Sequence, residues 1–172
     1  MNMRRPTNSL ILLCVACLTT LLISAQTADQ VAQLDRGATA PSFTVRSLDG
    51  EHVALAMMRG KVVVLNFWFI ACPPCREEMP KLNRLLDRFA GQNVVFIGFS
   101  LDSSAELKEF LAKNEFKYTI VPNSTRVAQK YGIRGAPTHV VIDKDGKVHW
   151  IGYGALDDPE TELGKIIKDA LS

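Results

Sequence analysis

The chain has 172 residues, of which 47% are apolar and 22% are charged. This length supports one domain with a proper core, and the composition is that of a globular protein, not a disordered or fibrous one. Arg4 and Arg5 account for the formal net charge of +2, because the chain after residue 25 has 18 basic and 18 acidic residues. A balanced charge argues against nucleic acid as a partner.

The first 25 residues have the pattern of a targeting segment. Two arginines precede an apolar run over residues 10–23, and Ser24 and Ala25 suit a cleavage site. Three outcomes stay open: cleavage as a signal peptide, retention as a membrane anchor, and lipidation at Cys17. Each of them places the domain outside the cytoplasm, so we expect a bacterial periplasmic or cell-envelope protein, released or attached through its N-terminus.

The rest of the chain divides into a linker and one domain. Residues 26–37 are polar and are interpreted as the linker, which leaves residues 38–172 as the domain. Within it, residues 41–56 are typical of a β-hairpin with its turn at Leu48-Asp49-Gly50. Residues 61–69 are a continuous apolar run, which predicts a central strand buried on both faces.

Helices and strands then alternate. Apolar residues recur at helical spacing over residues 75–90, where Pro80 predicts a kink. Further strands are predicted at 94–101, 118–121, 138–143 and 147–153, and further helices at 103–114, 125–131 and 160–171. This order predicts an α/β fold with a central mixed sheet and helices on both faces.

Cys72 and Cys75 stand where the apolar strand meets the first of these helices, separated by two prolines. Two thiols in the first turn of a helix are close enough to bond, and the helix N-terminus favours the reactive thiolate. The C-x-x-C spacing is shared with haem attachment, but Arg76 stands where that motif needs His. A zinc site would need a second pair of cysteines, and the other two, Cys14 and Cys17, lie in the targeting segment.

Several spaced motifs resemble the thioredoxin superfamily, and most closely its extracytoplasmic thiol–disulfide oxidoreductases of the TlpA/ResA type. These motifs are Asn66-Phe67-Trp68 before the cysteines, Cys72-Pro73-Pro74-Cys75, Pro80, and Ile133-Arg134-Gly135-Ala136-Pro137-Thr138. The Asp49-Gly50 hairpin, the extra helix–strand unit at 103–121 and Glu78 support that branch. Two positions depart from thioredoxins: Asn66 replaces a buried Asp, and Ala71 replaces the Trp before the first cysteine.

The resemblance implies a thioredoxin-like fold, with an N-terminal β-hairpin and an inserted helix–strand unit, and a redox-active Cys72–Cys75 disulfide. We expect Cys72, at the exposed start of the helix, to attack and Cys75 to resolve the mixed disulfide. Pro137 resembles the superfamily's cis-proline, beside which the backbone of Ala136 pairs with substrate. The other predicted substrate-contacting residues are Pro73, Pro74 and Trp68, although packing is the first interpretation of Trp68.

Glu78 follows Cys75 by three residues, so the two side chains share a helical face. One interpretation is a first-turn acid that, with Glu77, complements the helix dipole. The other is proton handling: burial raises the pKa of a thiol, and a nearby carboxylate can accept the proton that a resolving Cys75 must lose. Asn66 cannot accept this proton in place of Glu78, because an amide does not titrate in this range.

The predicted function is reduction of protein disulfides without a cofactor or metal. The resemblance implies envelope proteins as partners, among them apocytochrome c or oxidase assembly factors, and an upstream membrane thiol donor. A peroxiredoxin-type peroxidase is an alternative, but Phe69 stands where that class needs Thr or Ser. A copper or other metal chaperone is another alternative, but it requires a third soft ligand beside the two thiols. We interpret the candidate metal ligands as structural residues: Met57, Met58, His52, His139 and His149.

Overall fold

The computed structural model describes residues 34–172, so the predicted targeting segment and nearly all of the linker lie outside the described residues. The strands are β1 (Thr44–Arg46), β2 (His52–Ala54), β3 (Val62–Trp68), β4 (Val94–Ser100), β5 (Thr119–Val121), β6 (Thr138–Ile142) and β7 (Val148–Tyr153). The helices are α1 (Pro73–Arg88), α2 (Ser104–Leu111), α3 (Thr125–Lys130) and α4 (Pro159–Leu171). A 3-10 turn, Leu55–Met58, was not predicted. Within residues 34–172, no helix has the length and apolar character needed to span a bilayer.

Five of the strands form one mixed sheet in the order β5-β4-β3-β6-β7. β3 lies at its centre, where it pairs parallel with β4 and antiparallel with β6. All seven residues of β3 are buried, and six of them are apolar, as is typical of a strand covered on both faces. The predicted central mixed sheet is confirmed.

Side chains of β3 alternate between two apolar cores, one on each face of the sheet. Val64 and Trp68 belong to the core that α1, α2 and α4 cover. Leu65 and Phe67 belong to the core that α3 and the β1–β2 region cover. Helices therefore flank both faces of the sheet, as predicted.

α1 and α2 begin where the local sequence supplies a cap. Cys72 caps α1, and two prolines follow at the first helical positions, where a missing N–H costs nothing. Ser103 caps α2 in a reciprocal capping box with Glu106. α1 starts two residues earlier than predicted and continues through Pro80 to Arg88. α2 ends at Leu111, before the predicted residue 114.

The segment before β3 contacts both outer strands of the main sheet. β1 and β2 form the predicted hairpin as a separate antiparallel sheet, with Gly50 at a φ of +87° in the turn. The N–H of Gly37 donates to the carbonyl of Val148 in β7 at 2.7 Å. The N–H of Leu48 donates to the carbonyl of Ile120 in β5, also at 2.7 Å.

Candidate active site

Cys72 and Cys75 are joined by a disulfide with an S–S distance of 2.02 Å. Cys72 is the N-cap of α1, and its sulfur accepts a hydrogen bond from the backbone N–H of Cys75 at 3.3 Å. The helix terminus and this donor both favour negative charge on the Cys72 sulfur. The expected exposure of Cys72 is wrong for this oxidised form: both cysteines are 3% exposed, because both side chains join the apolar core beside Trp68.

The loop before β6 lies next to β3, the strand that leads to the cysteine pair. The Ala136–Pro137 peptide bond is cis, as expected for Pro137. Thr138, the next residue, pairs with Phe67 near the end of β3, which leads into the cysteine loop. The topology therefore brings together two motifs that are far apart in the sequence.

An apolar depression of about 200 Å³ lies next to Ala136. Its lining includes Phe69, Ile133 and Leu101, and Leu101 is 46% exposed. Pro73, between the cysteines, is also exposed. Of the predicted substrate-contacting residues, Pro73 is thus exposed and Ala136 is half-buried at the edge of this depression.

Trp68 has a different position from the other predicted substrate-contacting residues. It is 1% exposed, and its ring lies 5.9 Å from that of Phe110 and 5.6 Å from that of Phe116. A Cβ added to Gly98 would lie 3.1 Å from the indole nitrogen, so this glycine leaves room for the ring. Direct substrate contact does not fit a side chain this deeply buried, and Trp68 packs the core under the site.

Glu78 is buried and connects three elements. One carboxylate oxygen accepts the N–H of Leu156 at 2.7 Å, and the other lies 3.2 Å from Nε2 of His139. Nδ1 of His139 lies 3.2 Å from the amide nitrogen of Asn66. Because α1 begins at Pro73, Glu78 stands in the second turn and not the first, which weakens the dipole interpretation.

The contact between His139 and Glu78 was missed in the sequence. The signal that points to it is the pairing of Asn66 with His139 across β3 and β6, which sets both side chains toward α1. His52 is exposed, and Nε2 of His149 lies 3.0 Å from Oδ2 of Asp169. Among residues 34–172, no group of three or more His, Cys, Asp or Glu side chains is arranged to hold a metal ion.

Asp102 fixes the loop that precedes Cys72. Its Oδ2 accepts the N–H of Ile70 at 2.8 Å and the hydroxyl of Ser100 at 2.6 Å. Ser100 is fully buried, so its hydroxyl has no access to water as a replacement partner. This carboxylate therefore connects the end of β4 to the cysteine loop.

Replacing Asp102 with Ala should lower the free energy of unfolding by about 2–3 kcal/mol, because two donors lose a charged acceptor. Urea unfolding followed by circular dichroism measures the change. Asp87→Ala is the matched control, since Asp87 pairs with Lys117 at 2.7 Å at the surface. That control should change stability by less than about 1 kcal/mol, and equal losses in the two variants would contradict the assigned role of Asp102.

Comparison with known proteins agrees with this geometry. The AhpC/TSA family model matches residues 36–151. The chain is 34% identical to a thiol-disulfide oxidoreductase ResA of Bacillus cereus over 134 residues, which cover 76% of this chain and 78% of that protein. It is 30% identical to the thioredoxin-like protein YneN of Bacillus subtilis over 132 residues, covering 75% and 78% of the two chains.

A solved structure has the same architecture. It is a crystal structure described as that of a thiol:disulfide interchange protein DsbE from Chlorobium tepidum, with a TM-score of 0.76 and 30% sequence identity. The superposition covers 81% of this chain and 100% of the other. The chain thus belongs to the AhpC/TSA family and, among its thioredoxin-like members, to the thiol–disulfide oxidoreductases of the ResA type.

Proposed function

We propose that this protein reduces disulfides of other proteins outside the cytoplasm. In this mechanism Cys72 attacks the partner, Cys75 resolves the mixed disulfide, and Glu78 accepts the proton of Cys75. The observation that carries the proposal is the cysteine pair at the start of α1 with a buried carboxylate one turn further along the same helix.

The reaction transfers two electrons to the partner. In the reduced protein, the Cys72 thiolate attacks one sulfur of the partner disulfide, and the other sulfur leaves as a thiolate. Cys75 then gives its proton to Glu78 and attacks the Cys72 sulfur, which releases the second partner thiol and leaves the Cys72–Cys75 disulfide. A thiol donor must reduce this disulfide before the next cycle.

The surfaces beside the disulfide support a protein as the substrate. An extended partner segment placed along Ala136 would present its own disulfide to Cys72 and its side chains to the apolar depression. Exposed Pro73 borders the same approach, and Pro74 is half-buried beside it. The resemblance to TlpA/ResA-type proteins makes apocytochrome c, oxidase assembly factors and other envelope proteins the candidate partners, with a membrane thiol donor upstream.

The sequence of the N-terminal segment supports the proposed location. Arg4 and Arg5, the apolar run at 10–23 and the small residues after it are the features of a segment that directs a chain across or into a membrane. The proposed site also needs a compartment in which partner disulfides form. Both considerations favour the cell envelope.

The reduction potential should lie nearer that of thioredoxin, about −270 mV, than that of DsbA, about −120 mV. A strong oxidant requires a thiol pKa near 3.5, which takes about 7 kcal/mol of thiolate stabilisation. The helix dipole supplies at most about 2 kcal/mol. The N–H of Cys75 is one donor to Cys72, but Pro73 and Pro74 have no N–H to add. Equilibration with glutathione buffers measures the potential.

A potential above about −160 mV would contradict the reductase assignment. Pro74→His is the matched variant, because an imidazolium between the cysteines stabilises the thiolate and should raise the potential. Peroxide consumption by the same sample, if faster than disulfide exchange, would favour the peroxidase alternative.

A further inference from the structure

His139 stands in the middle of a buried row of polar groups that ends at Glu78. The row runs from the Asn66 amide through the two ring nitrogens of His139 to the Glu78 carboxylate, with 3.2 Å at each step. His139 is 0% exposed and Glu78 is 3% exposed. We propose that His139 is a positioning residue that holds the Glu78 carboxylate where it accepts the proton of Cys75. This inference rests on the proposed resolution step.

The donors and acceptors along the row are consistent with one another. With the amide nitrogen of Asn66 facing Nδ1 of His139, the amide N–H donates and Nδ1 accepts, which leaves Nε2–H as the donor on the other side of the ring. Nε2–H then donates to one oxygen of Glu78, while the N–H of Leu156 donates to the other. Each carboxylate oxygen therefore has one fixed donor and keeps further acceptor capacity.

The row holds Glu78 because its other members stand on rigid parts of the fold. Asn66 and His139 face each other across the β3–β6 pair, and both strands are internal to the main sheet. A glutamate side chain has several rotatable bonds, so a buried one needs partners to keep a single orientation. A proton acceptor works only within hydrogen-bond reach of its donor, which makes that orientation matter for rate.

Ionisable groups come from each element that contacts Glu78, and the loop of Leu156 carries Asp157 and Asp158. On the helix of Glu78 the ionisable groups are Cys75 and the surface residue Lys81, which donates to the carbonyl of Asp157. From β6 there is His139. Tyr118 faces the same core, and burial, followed by the negative charge of Glu78, raises its pKa far above the ordinary value. Tyr118 therefore stays neutral in the working pH range, and the polarity around Glu78 comes mainly from His139 and the Leu156 N–H.

A two-step model reaction separates the attack from the resolution. When the reduced protein meets the chromogenic disulfide dithiobis-nitrobenzoate, attack by Cys72 releases one thionitrobenzoate and resolution by Cys75 releases the second. We expect His139→Leu to slow only the second release, by about tenfold at neutral pH. The pH at which this release levels off should rise by about one unit, because proton removal then falls to solvent.

Three variants test whether the effect passes through Glu78. His139→Gln places an amide N–H where Nε2 was and should resolve within about threefold of the wild type. A Glu78→Gln, His139→Leu double variant should be no slower than Glu78→Gln alone, since both changes remove one function. His149→Leu is the matched control, because His149 also pairs with a carboxylate, Asp169, but outside this row. It should resolve at the wild-type rate.

The outcomes discriminate between this inference and the mechanism on which it rests. If Glu78→Gln resolves slowly while His139→Leu resolves at the wild-type rate, only the role of His139 is overturned. Losses that multiply in the double variant would also overturn it. Glu78→Gln at the wild-type rate would overturn the proposed proton transfer together with the inference. An unchanged first release shows in each variant that the start of α1 is intact.

Discussion

Replacing Cys75 with Ser should stop turnover almost completely while leaving the first chemical step intact. The Cys72 thiolate still attacks a partner disulfide, but no second thiol follows it, so the mixed disulfide accumulates. We expect multiple turnover to fall roughly a thousandfold or more. The measurement is disulfide reduction under a thiol donor, together with isolation of partner proteins covalently bound at Cys72.

Cys72→Ser is the matched control and tests the assignment of roles. It should lose turnover without trapping partners, because the remaining Cys75 lies inside the first turn of α1 and lacks the position at the helix cap. More partners trapped on Cys72→Ser than on Cys75→Ser would reverse the attacker and the resolver. The test is needed because the two cysteines have equal exposure in the oxidised form, so exposure does not distinguish the attacker from the resolver.

Glu78→Gln should slow resolution by about a hundredfold, the lower range for a positioned proton acceptor. Gln has nearly the same shape and keeps an oxygen for the Leu156 N–H, so the fold should survive the change. The lost property is the ability to take the proton that Cys75 must release before it attacks. The second release from the chromogenic disulfide, followed from pH 6 to about 9, measures this loss.

Glu77→Gln is the control for the charge of the helix. Glu77 precedes Glu78 on α1, carries the same charge and is exposed. It should resolve at the wild-type rate, because it does not share the buried face with Cys75. Equal rates for the two variants over the whole pH range would leave Glu78 with only an effect on the helix dipole.

Much of the fold could be predicted because its signals are local. β3 is recognisable as a run that is apolar except for Asn66, and α1 is recognisable by helical spacing after the cysteine pair. The relation of Glu78 to Cys75 also needs only the repeat of one helix. The hairpin is marked by Asp49 and Gly50, since glycine adopts the positive φ that the turn requires.

The contacts that organise the site were harder to predict because they join distant parts of the chain. Glu78 and His139 are 61 positions apart, and Asn66 and His139 are 73 apart. The pairing of β3 with β6 brings Asn66 to His139, and the packing of α1 on that face of the sheet brings Glu78 to His139. Hydrophobic periodicity contains no information on strand order. The burial of Cys72 was missed for a related reason, because the core that receives it is assembled from several elements.

The stretch between residues 37 and 50 has a consequence for how the molecule behaves among copies of itself. A bare five-stranded sheet ends in two rows of unpaired backbone groups, which are templates for pairing with another chain. Here the N–H of Gly37 donates to a carbonyl of β7 at one edge of the sheet. The N–H of Leu48 donates to a carbonyl of β5 at the other edge. A shortened protein that begins after residue 58 would lack both of these hydrogen bonds. This stretch thus pairs with backbone groups that would otherwise be free at both edges of the sheet.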